Sequence, residues 1–488
     1  MPAKILLLDP PHKIFGALRM WMPSPGLMAL AAYLESKGQT VDLLDATTFD
    51  HPWTNLKTRL KQGGYDMVGV TCSAATFHND AIAAIRLARK ILPDAVILAG
   101  GGHLSLNAER ILETVPELDY IAMGEGEKTF LELIRWLEGN DKETPCDVPG
   151  LAYQQDNNLR TTPPRPLIPD LDVLPMPAYH KIDLNNPTYY LHGMGRRAIG
   201  ISTSRGCGDH CTYCSEAVLW NSNWRGRSGR RVVEEMQMLN RDYNKSLFVF
   251  NENSFNQNRE RNESFLEHLG HSGLKCDFWF QSRVKDILRD RDLLDDLKRL
   301  GCYEVMLGVE SITPETLRNY AKKQSFEEIR EATSLLRSKG IMVMTNVMFG
   351  DINDTEQTLK QICDFVTKVG DFLVLTITTP LPGTRYYSQA IKEDRIEDPD
   401  FSHYDFMHPI MGNRAFSRDE ILALHKKYLR RYYTRPSIFL NMLFSPNPFK
   451  RMAYRLIMRY AWYEARNTEW VQKNYEEIPD DLGEWSEG

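Results

Sequence analysis

Along residues 3–140 the apolar positions gather in short runs: "AKILLLD", "TVDLLD", "DMVGVTC", "AVILAGG" and "YIAMG". These runs are rich in Val, Ile and Leu and end in Gly, Asp or Cys, the pattern of strands buried on both faces. The stretches between them, such as "GLMALAAYLESKG" and "HNDAIAAIRLARKIL", read as helices. Five βα units of this kind predict an open, doubly wound parallel sheet with helices on both faces. Such sheets bind ligands beyond the carboxyl ends of their strands.

The pattern then breaks. "GLAYQQDNNLRTT" reads as a hairpin turning at Asp156, Asn157 and Asn158. "TTPPRPLIPDLDVLPMPAYH" holds too much Pro for a helix or a central strand and reads as an extended linker. From about residue 197 a second alternating series starts, with strands expected at "RAIGISTS", "SLFVFNE", "KCDFWFQSRV", "EVMLGVES", "IMVMTNVMFG" and "FLVLTITTP". Six strands with helices between them predict a partial (β/α)6 barrel, whose chemistry belongs on loops at the carboxyl ends of its strands. The expected organisation is an α/β domain at 1–145, hairpin and linker at 146–194, the partial barrel at 195–390, and a helical, substrate-covering region at 391–488. Within that last region "KKYLRRYYTRPSIFLNMLF" and "FKRMAYRLIMRYAWYEAR" are aromatic- and Arg-rich. The plain reading is a helical cap packed on the barrel. The sharper ones are a cover for a large apolar substrate or a contact with a membrane surface.

Composition narrows the class. A chain of 488 residues makes two or three domains. A net charge of −6 leaves no basic footprint for nucleic acid. The apolar run in "MPAKILLLDPP" is too short for a signal peptide, and no window of about 18 apolar residues suggests a membrane span. Eight cysteines without a secretory signal point to a reduced, cytoplasmic protein in which clustered thiols hold a metal or do chemistry.

Three of the eight lie together in "SRGCGDHCTYCSEA": Cys207, Cys211 and Cys214, spaced C-x3-C-x2-C directly after the first barrel strand. Structural zinc calls for four closed ligands, usually from two C-x2-C pairs, and only one such pair is present. His210 adjoins Cys211, where neighbouring side chains point apart. Three thiolates on one loop suit a 4Fe-4S cubane with one iron left open for a substrate or cofactor. The other five cysteines are scattered and read as core residues.

This spacing after the first strand of a partial barrel resembles the radical S-adenosylmethionine (SAM) enzymes, over roughly residues 195–385. The resemblance implies that Tyr213 borders the adenine, Glu252 in "FNENSF" lies near the SAM amino group, Arg283 in "QSR" meets the carboxylate, and Glu310 in "GVES" meets the ribose hydroxyls. "PLPGT" at 380–384 resembles a late turn of the same family. The implied chemistry is reductive cleavage of SAM to a 5′-deoxyadenosyl radical that takes hydrogen from an unactivated carbon, with a reduced flavodoxin or ferredoxin as electron donor. No further catalytic side chain is assigned.

A doubly wound domain ahead of such a barrel resembles the cobalamin-binding domain of one large subclass. Ser73, Gly101, Gly102, His103 and the stretch Gly124, Glu125, Gly126 and Glu127 then fall where the corrin or its nucleotide tail would lie. Gly runs let backbone approach a bulky macrocycle closely. The D-x-H-x-x-G motif is absent, so a histidine lower ligand to cobalt is not expected. Within the subclass, "STSRGC", "EAVLWNSNWRGRSGRRVVEEM", "YDFMHPIM" and "RRYYTRP" are most similar to the anaerobic magnesium-protoporphyrin IX monomethyl ester oxidative cyclase group. The opening "DPPHKIFGALRMWMPSPG" departs from it. Oxidative cyclisation of a large hydrophobic substrate such as a porphyrin ester is the implied reaction, and cobalamin-dependent C-methylation is the alternative. Aromatic residues Tyr404, Phe406, His408 and Tyr428 to Tyr433, with Arg430, Arg431 and Arg435, are expected over the barrel mouth.

Overall fold

The computed structural model describes residues 2–12, 21–139, 144–156, 158–189, 195–455, 458 and 476–483. Residues 13–20 of the opening "DPPHKIFGALRMWMPSPG" and most of the final "RLIMRYAWYEAR" lie outside them. The chain divides into two compact units, residues 1–196 with 467–488, and residues 197–466.

In the first unit, strands β1 (Ile5–Asp9), β2 (Val41–Asp45), β3 (Met67–Thr71), β4 (Val96–Gly100) and β5 (Tyr120–Ala122) pair in parallel in the order β2-β1-β3-β4-β5. Alternation along β1 builds two cores at once. Leu6 and Leu8 pack on one face with Trp53, Leu56, Ile82 and Ile85, and Ile5 and Leu7 on the other with Leu30, Leu34, Phe130 and Ile134. Helices Pro52–Gly63 and His78–Ile91 cover the first face; Pro25–Ser36 and Gly126–Leu137 cover the second. Gly69 in β3 is required, because a Cβ there would stand 2.6 Å from the Phe130 ring.

Two expectations change here. The hairpin strands β6 (Leu151–Gln155) and β7 (Asn158–Thr161) join the sheet antiparallel beyond β5, making it seven-stranded. The Pro-rich stretch is no free linker: Ile168, Leu171 and Leu174 form a small core against Tyr33, and Ala178 N–H donates to Met28 O at 3.0 Å. Prolines forbid ladder bonds but not burial of the apolar residues between them.

The second unit holds β8 (Ala198–Ile201), a two-residue pair β9 (Ser204–Arg205) and β10 (Arg225–Gly226), then β11 (Leu247–Phe250), β12 (Asp277–Ser282), β13 (Cys302–Glu310), β14 (Met342–Phe349) and β15 (Phe372–Ile377). Six of these form one parallel sheet ordered β15-β14-β13-β12-β11-β8, the partial barrel. An incomplete barrel leaves unpaired strand edges, which proteins must cover. On β15 the tail does so. Ile377 N–H donates to Phe406 O, while Leu375, Leu373 and Asp371 carbonyls accept from His425 Nε2, Tyr433 Oη and Tyr432 Oη. Helix Arg418–Tyr433, closed at its start by a Ser417–Glu420 capping box, therefore runs along the strand edge.

That placement changes the expectation for Tyr428 to Tyr433, Arg430, Arg431 and Arg435. Tyr404 is buried and, with Phe406 and His408, belongs to the segment at the carboxyl end of β15. Tyr428 to Tyr433 instead descend toward the amino end, where the Arg435 guanidinium stacks 3.8 Å from the Tyr432 ring and Arg431 lies 3.6 Å from Asp364. Tyr432 and Tyr433 seal the edge at β15 rather than roof the mouth. The last described residues return to the first unit: the Glu476 carboxylate accepts from Trp53 N–H and Thr54 N–H, and Leu482 enters the core.

Candidate functional site

The cysteine loop is held at its base by the β9–β10 pair, which brackets residues 206–224. Gly206 follows β9 at φ +83°, and a Cβ there would lie 2.2 Å from Asn223 O, so the loop closes only around glycine. All three thiols are free; Cys211 is buried and Cys207 and Cys214 are half-buried. Cys214 N–H donates to Cys211 O at 3.4 Å. Burial pushes the Cys214 thiol up to about 12, with backbone N–H groups of Ala217 and Glu216 pulling the other way. Among the described residues no three His, Cys, Asp or Glu side chains converge as a single ion would need. A cubane makes no such demand, because it takes each thiolate on a separate iron. Three thiols on one clamped loop are a donor set that fits such a cluster.

Every neighbouring strand end grips this loop. After β11, Gln257 Oε1 accepts Gly208 N–H at 3.0 Å. Glu252 is buried and accepts from Thr203 N–H at 3.1 Å and from its hydroxyl, while Arg261 Nη2 reaches the same hydroxyl. Burial holds the Glu252 carboxyl above its usual range, opposed by those hydrogen bonds. After β12, Arg283 makes a two-pronged contact with Asp286, at 2.5 and 2.9 Å, and donates to Asp209 at 3.0 Å. Asp209 also takes Lys285 at 2.6 Å. Although burial opposes it, these cations hold Asp209 below the ordinary carboxylate range. Glu252 and Arg283 thus lie at the loop, with their polar atoms engaged within the protein.

Beyond β13 two strained residues feed one ion pair. Glu310 has φ +59° at a register shift of the strand, and Ala321 has φ +52° just past helix Pro314–Asn319. Ala321 N–H and Lys322 N–H donate back to Arg318 O and Leu317 O, so Ala321 stands where helix ends normally place glycine. This turn brings Lys322 Nζ to 3.3 Å from Glu310 Oε1, and Asn346 Nδ2 lies 3.3 Å from the other oxygen. Gly308 leaves the room: a Cβ there would stand 2.6 Å from the Glu310 carboxylate. Burial alone would lower the Lys322 ammonium, but the charges of Glu310, Cys211 and Asp209 hold it well above its ordinary value. The same turn is tied to the cysteine loop, since Thr212 N–H and Oγ1 donate to Tyr320 O and Asn319 O, and Tyr213 packs edge-on to Tyr320 at 5.0 Å. A cavity of about 600 Å³ opens beside Lys322, lined also by Ile312, Leu317, Arg318 and Gln324. Sequence reading missed Lys322: in "AKKQS" it looks like an ordinary loop cation, and only the αL turn aims it inward.

In the first unit the loops after β3, β4 and β5 are stitched into one ledge. Cys72 N–H donates to Gly100 O, Ser105 Oγ to Ala122 O, and Gly124 N–H to Ser105 Oγ. Ser73 is exposed there. Gly101, at φ +101°, lies so close to Cys72 that a Cβ would meet its carbonyl at 2.4 Å, and Gly124, at φ +80°, faces open space. Gly102 and Gly126 begin helices, and Glu125 accepts Ile168 N–H at 2.6 Å. His103 is buried, its Nε2 3.2 Å from His78 Nδ1 and its Nδ1 3.3 Å from Asn107. Burial, then His78 and Arg110, lower it to about 3, so its imidazole is neutral. His12, after β1, lies between Asp9 at 3.2 Å and Asp80 at 3.3 Å, flanked by Trp21 and Phe77 rings. Burial alone would lower it, but hydrogen bonds to Asp80 and Asp9 raise it to about 9. An imidazolium donating from both nitrogens has no lone pair for a metal. The glycine ledge offers the close backbone approach that a macrocycle requires.

Known proteins bear on both units. Residues 12–134 match the B12 binding domain and residues 201–366 the radical SAM superfamily. The chain is 27% identical to an uncharacterized methyltransferase of Pyrococcus horikoshii, over 95% of this chain and 99% of that one. It is 28% identical to the anaerobic magnesium-protoporphyrin IX monomethyl ester cyclase of Synechocystis, over 92% and 89%. Its fold matches the radical SAM methyltransferase TsrM of Kitasatospora setae, solved with cobalamin and a 4Fe-4S cluster, at TM-score 0.71 and 19% identity, over 95% and 100% of the two chains. The chain thus carries a B12 binding domain followed by a radical SAM domain, the pairing of the cobalamin-dependent radical SAM class of enzymes.

Proposed function

We propose that Cys207, Cys211 and Cys214 hold a 4Fe-4S cluster and that SAM lies between them and the strand ends of β11 to β13. The observation that carries this reading is the clamped three-thiol loop tied to the buried Glu310–Lys322 pair. When bound, the cluster, SAM and cobalamin supply a 5′-deoxyadenosyl radical and a corrin-borne reaction partner. The protein's own groups position them. Lys322, whose single contact to Glu310 at 3.3 Å is longer than the three contacts of Arg283 to Asp286 and Asp209, offers a buried cation to the SAM carboxylate, the role expected of Arg283. Arg283 instead fixes the cysteine loop through Asp209, and Glu252 fixes its base through Thr203. Tyr213 lays a ring beside the adenine and Glu310 meets the ribose. Ser73, Gly101, Gly102, His103 and Gly124 to Glu127 border the corrin without ligating cobalt. Electrons come from a small carrier of the flavodoxin or ferredoxin type.

The reaction on this reading transforms an unactivated carbon of a large hydrophobic substrate, most like oxidative cyclisation of a porphyrin ester. Its support is the similarity to cyclases, together with the "YDFMHPIM" segment at the carboxyl end of β15. The second reading is cobalamin-dependent C-methylation, supported by the methyltransferase relative. Anaerobic turnover with methyl-labelled SAM separates them: cyclisation leaves the label in methionine, and methylation moves it to product. Changing all three loop cysteines to Ala abolishes cluster absorbance and 5′-deoxyadenosine formation; a cubane retained in that variant overturns the assignment.

A further inference from the structure

The helix Pro436–Phe444 presents an apolar stripe outward. Ile438 is buried and roots it, while Phe439, Leu440, Leu443 and Phe444 stand 39, 60, 55 and 74% exposed. These are four of the ten large apolar side chains exposed among the described residues, at i, i+1, i+4 and i+5 on one face. The surrounding sequence is cationic. Residues 421–455 contain eight Lys and Arg and no Asp or Glu, in a chain whose net charge is −6. Arg435 immediately precedes the helix, and Arg451 donates to Ser445 O just past its end. Lys426, Arg430, Arg431 and Arg455 are exposed.

The place of this segment in the barrel is also defined. Lys450 and Tyr454 bond Asp371, just ahead of β15, and Phe449 stacks on Tyr303 at the start of β13, with ring centroids 4.1 Å apart. The stripe therefore belongs to the face at the amino ends of the strands, opposite the cysteine loop. No helix among the described residues is long and apolar enough to cross a membrane, and this one has nine residues. Three of the eight cations are paired, Lys427 with Glu356, Arg431 with Asp364 and Lys450 with Asp371, and the other five form no ion pair among the described residues. A short apolar stripe with such cations around it matches the headgroup layer of an anionic bilayer, apolar side chains in the acyl boundary and cations on the lipid phosphates.

We propose that Phe439, Leu440, Leu443 and Phe444 insert into an anionic phospholipid surface, with Lys426, Arg430, Arg435, Arg451 and Arg455 on the headgroups and the cysteine loop at the other end of the barrel strands. This docking surface is independent of which reaction the enzyme runs. The test is co-sedimentation of the full chain with phosphatidylcholine vesicles with and without phosphatidylglycerol. Binding to the anionic vesicles should exceed that to neutral ones at least about tenfold and should fall by a similar factor in 0.5 M salt. The triple change Leu440→Ser, Leu443→Ser and Phe444→Ser should reduce it about tenfold or more, and so should Lys426→Gln, Arg430→Gln and Arg455→Gln together. All six positions are exposed, so melting temperature and cluster absorbance should stay at wild-type values. Equal uptake by neutral and anionic vesicles overturns the proposal. So does an absence of uptake, with or without self-association of the chain through the same stripe in sedimentation velocity.

Discussion

At the scale of single residues, the site depends on conformations that ordinary side chains avoid. Two non-glycine residues in the left-handed region, Glu310 and Ala321, meet at one ion pair, and such strain persists only where the surroundings hold it. Ala321→Gly should therefore stabilise the protein by roughly 1 kcal/mol in chemical denaturation, because glycine takes this conformation without a Cβ penalty. Lys322→Met should destabilise it by about 3–5 kcal/mol, since it leaves the buried Glu310 carboxylate without its cation. Adding Glu310→Gln should recover much of that loss, and the double-mutant cycle measures the pair directly.

His12 gives a second residue-scale test, on pH. Its folded pKa, about 9, lies above the ordinary 6.5 of histidine. Its contribution to stability is thus fully present below about pH 6.5 and lost as pH rises through about 9. Wild type should exceed His12→Gln by about 3 kcal/mol at the acid end of this window and converge with it above pH 9. A gap that widens with rising pH would exclude a doubly paired imidazolium. None of this was legible in the sequence. "DPPHKIFG" shows a histidine after a strand, but the ions that hold it protonated come from Asp9 beside it and Asp80 on a distant helix.

At the scale of elements, much more was legible. All five early strands and all six barrel strands lie on the apolar runs that announce them. The first sheet is buried on both faces, and strands such as β12 and β15, which alternate buried and half-buried positions, still carry enough apolar residues to read as strands. The cysteine loop fell at the carboxyl end of β8 for the same reason. What the pattern hid was edge protection. Aromatic and charged residues of helix Arg418–Tyr433 suggest a pocket wall, yet their polar atoms serve carbonyls of β15 lying 50 to 61 residues earlier. Amphipathic periodicity gives the face of a helix but not its partner. Tyr433→Phe, which removes one such bond at 2.6 Å from a half-buried position, should cost about 1 kcal/mol without changing cluster content. A change in cluster absorbance would move Tyr433 from the edge seal to the site.

For the whole molecule, the tail decides how its parts depend on each other. A tail that only covered substrate could be removed, residues 400–488 together, with cluster assembly intact and turnover alone lost. The structure argues against that outcome. Their removal strips β15 of Phe406, His425, Tyr432 and Tyr433 at once and bares a parallel strand edge to other chains. It also withdraws Leu482 from the core of the first unit and Glu476 from the start of helix Pro52–Gly63. The carboxylate of Glu476 meets two orphan N–H groups where the helix dipole favours a negative charge, and His51, the residue ahead of the helix, makes no side-chain cap there. Glu476→Ala alone should cost about 1 kcal/mol. Hydrogen exchange locates the loss: amides of residues 52–56 should exchange several-fold faster, while peptides from β11 to β15 keep wild-type protection. Uniform acceleration across both units would mean that the final residues hold the entire chain together rather than capping one helix of its first unit.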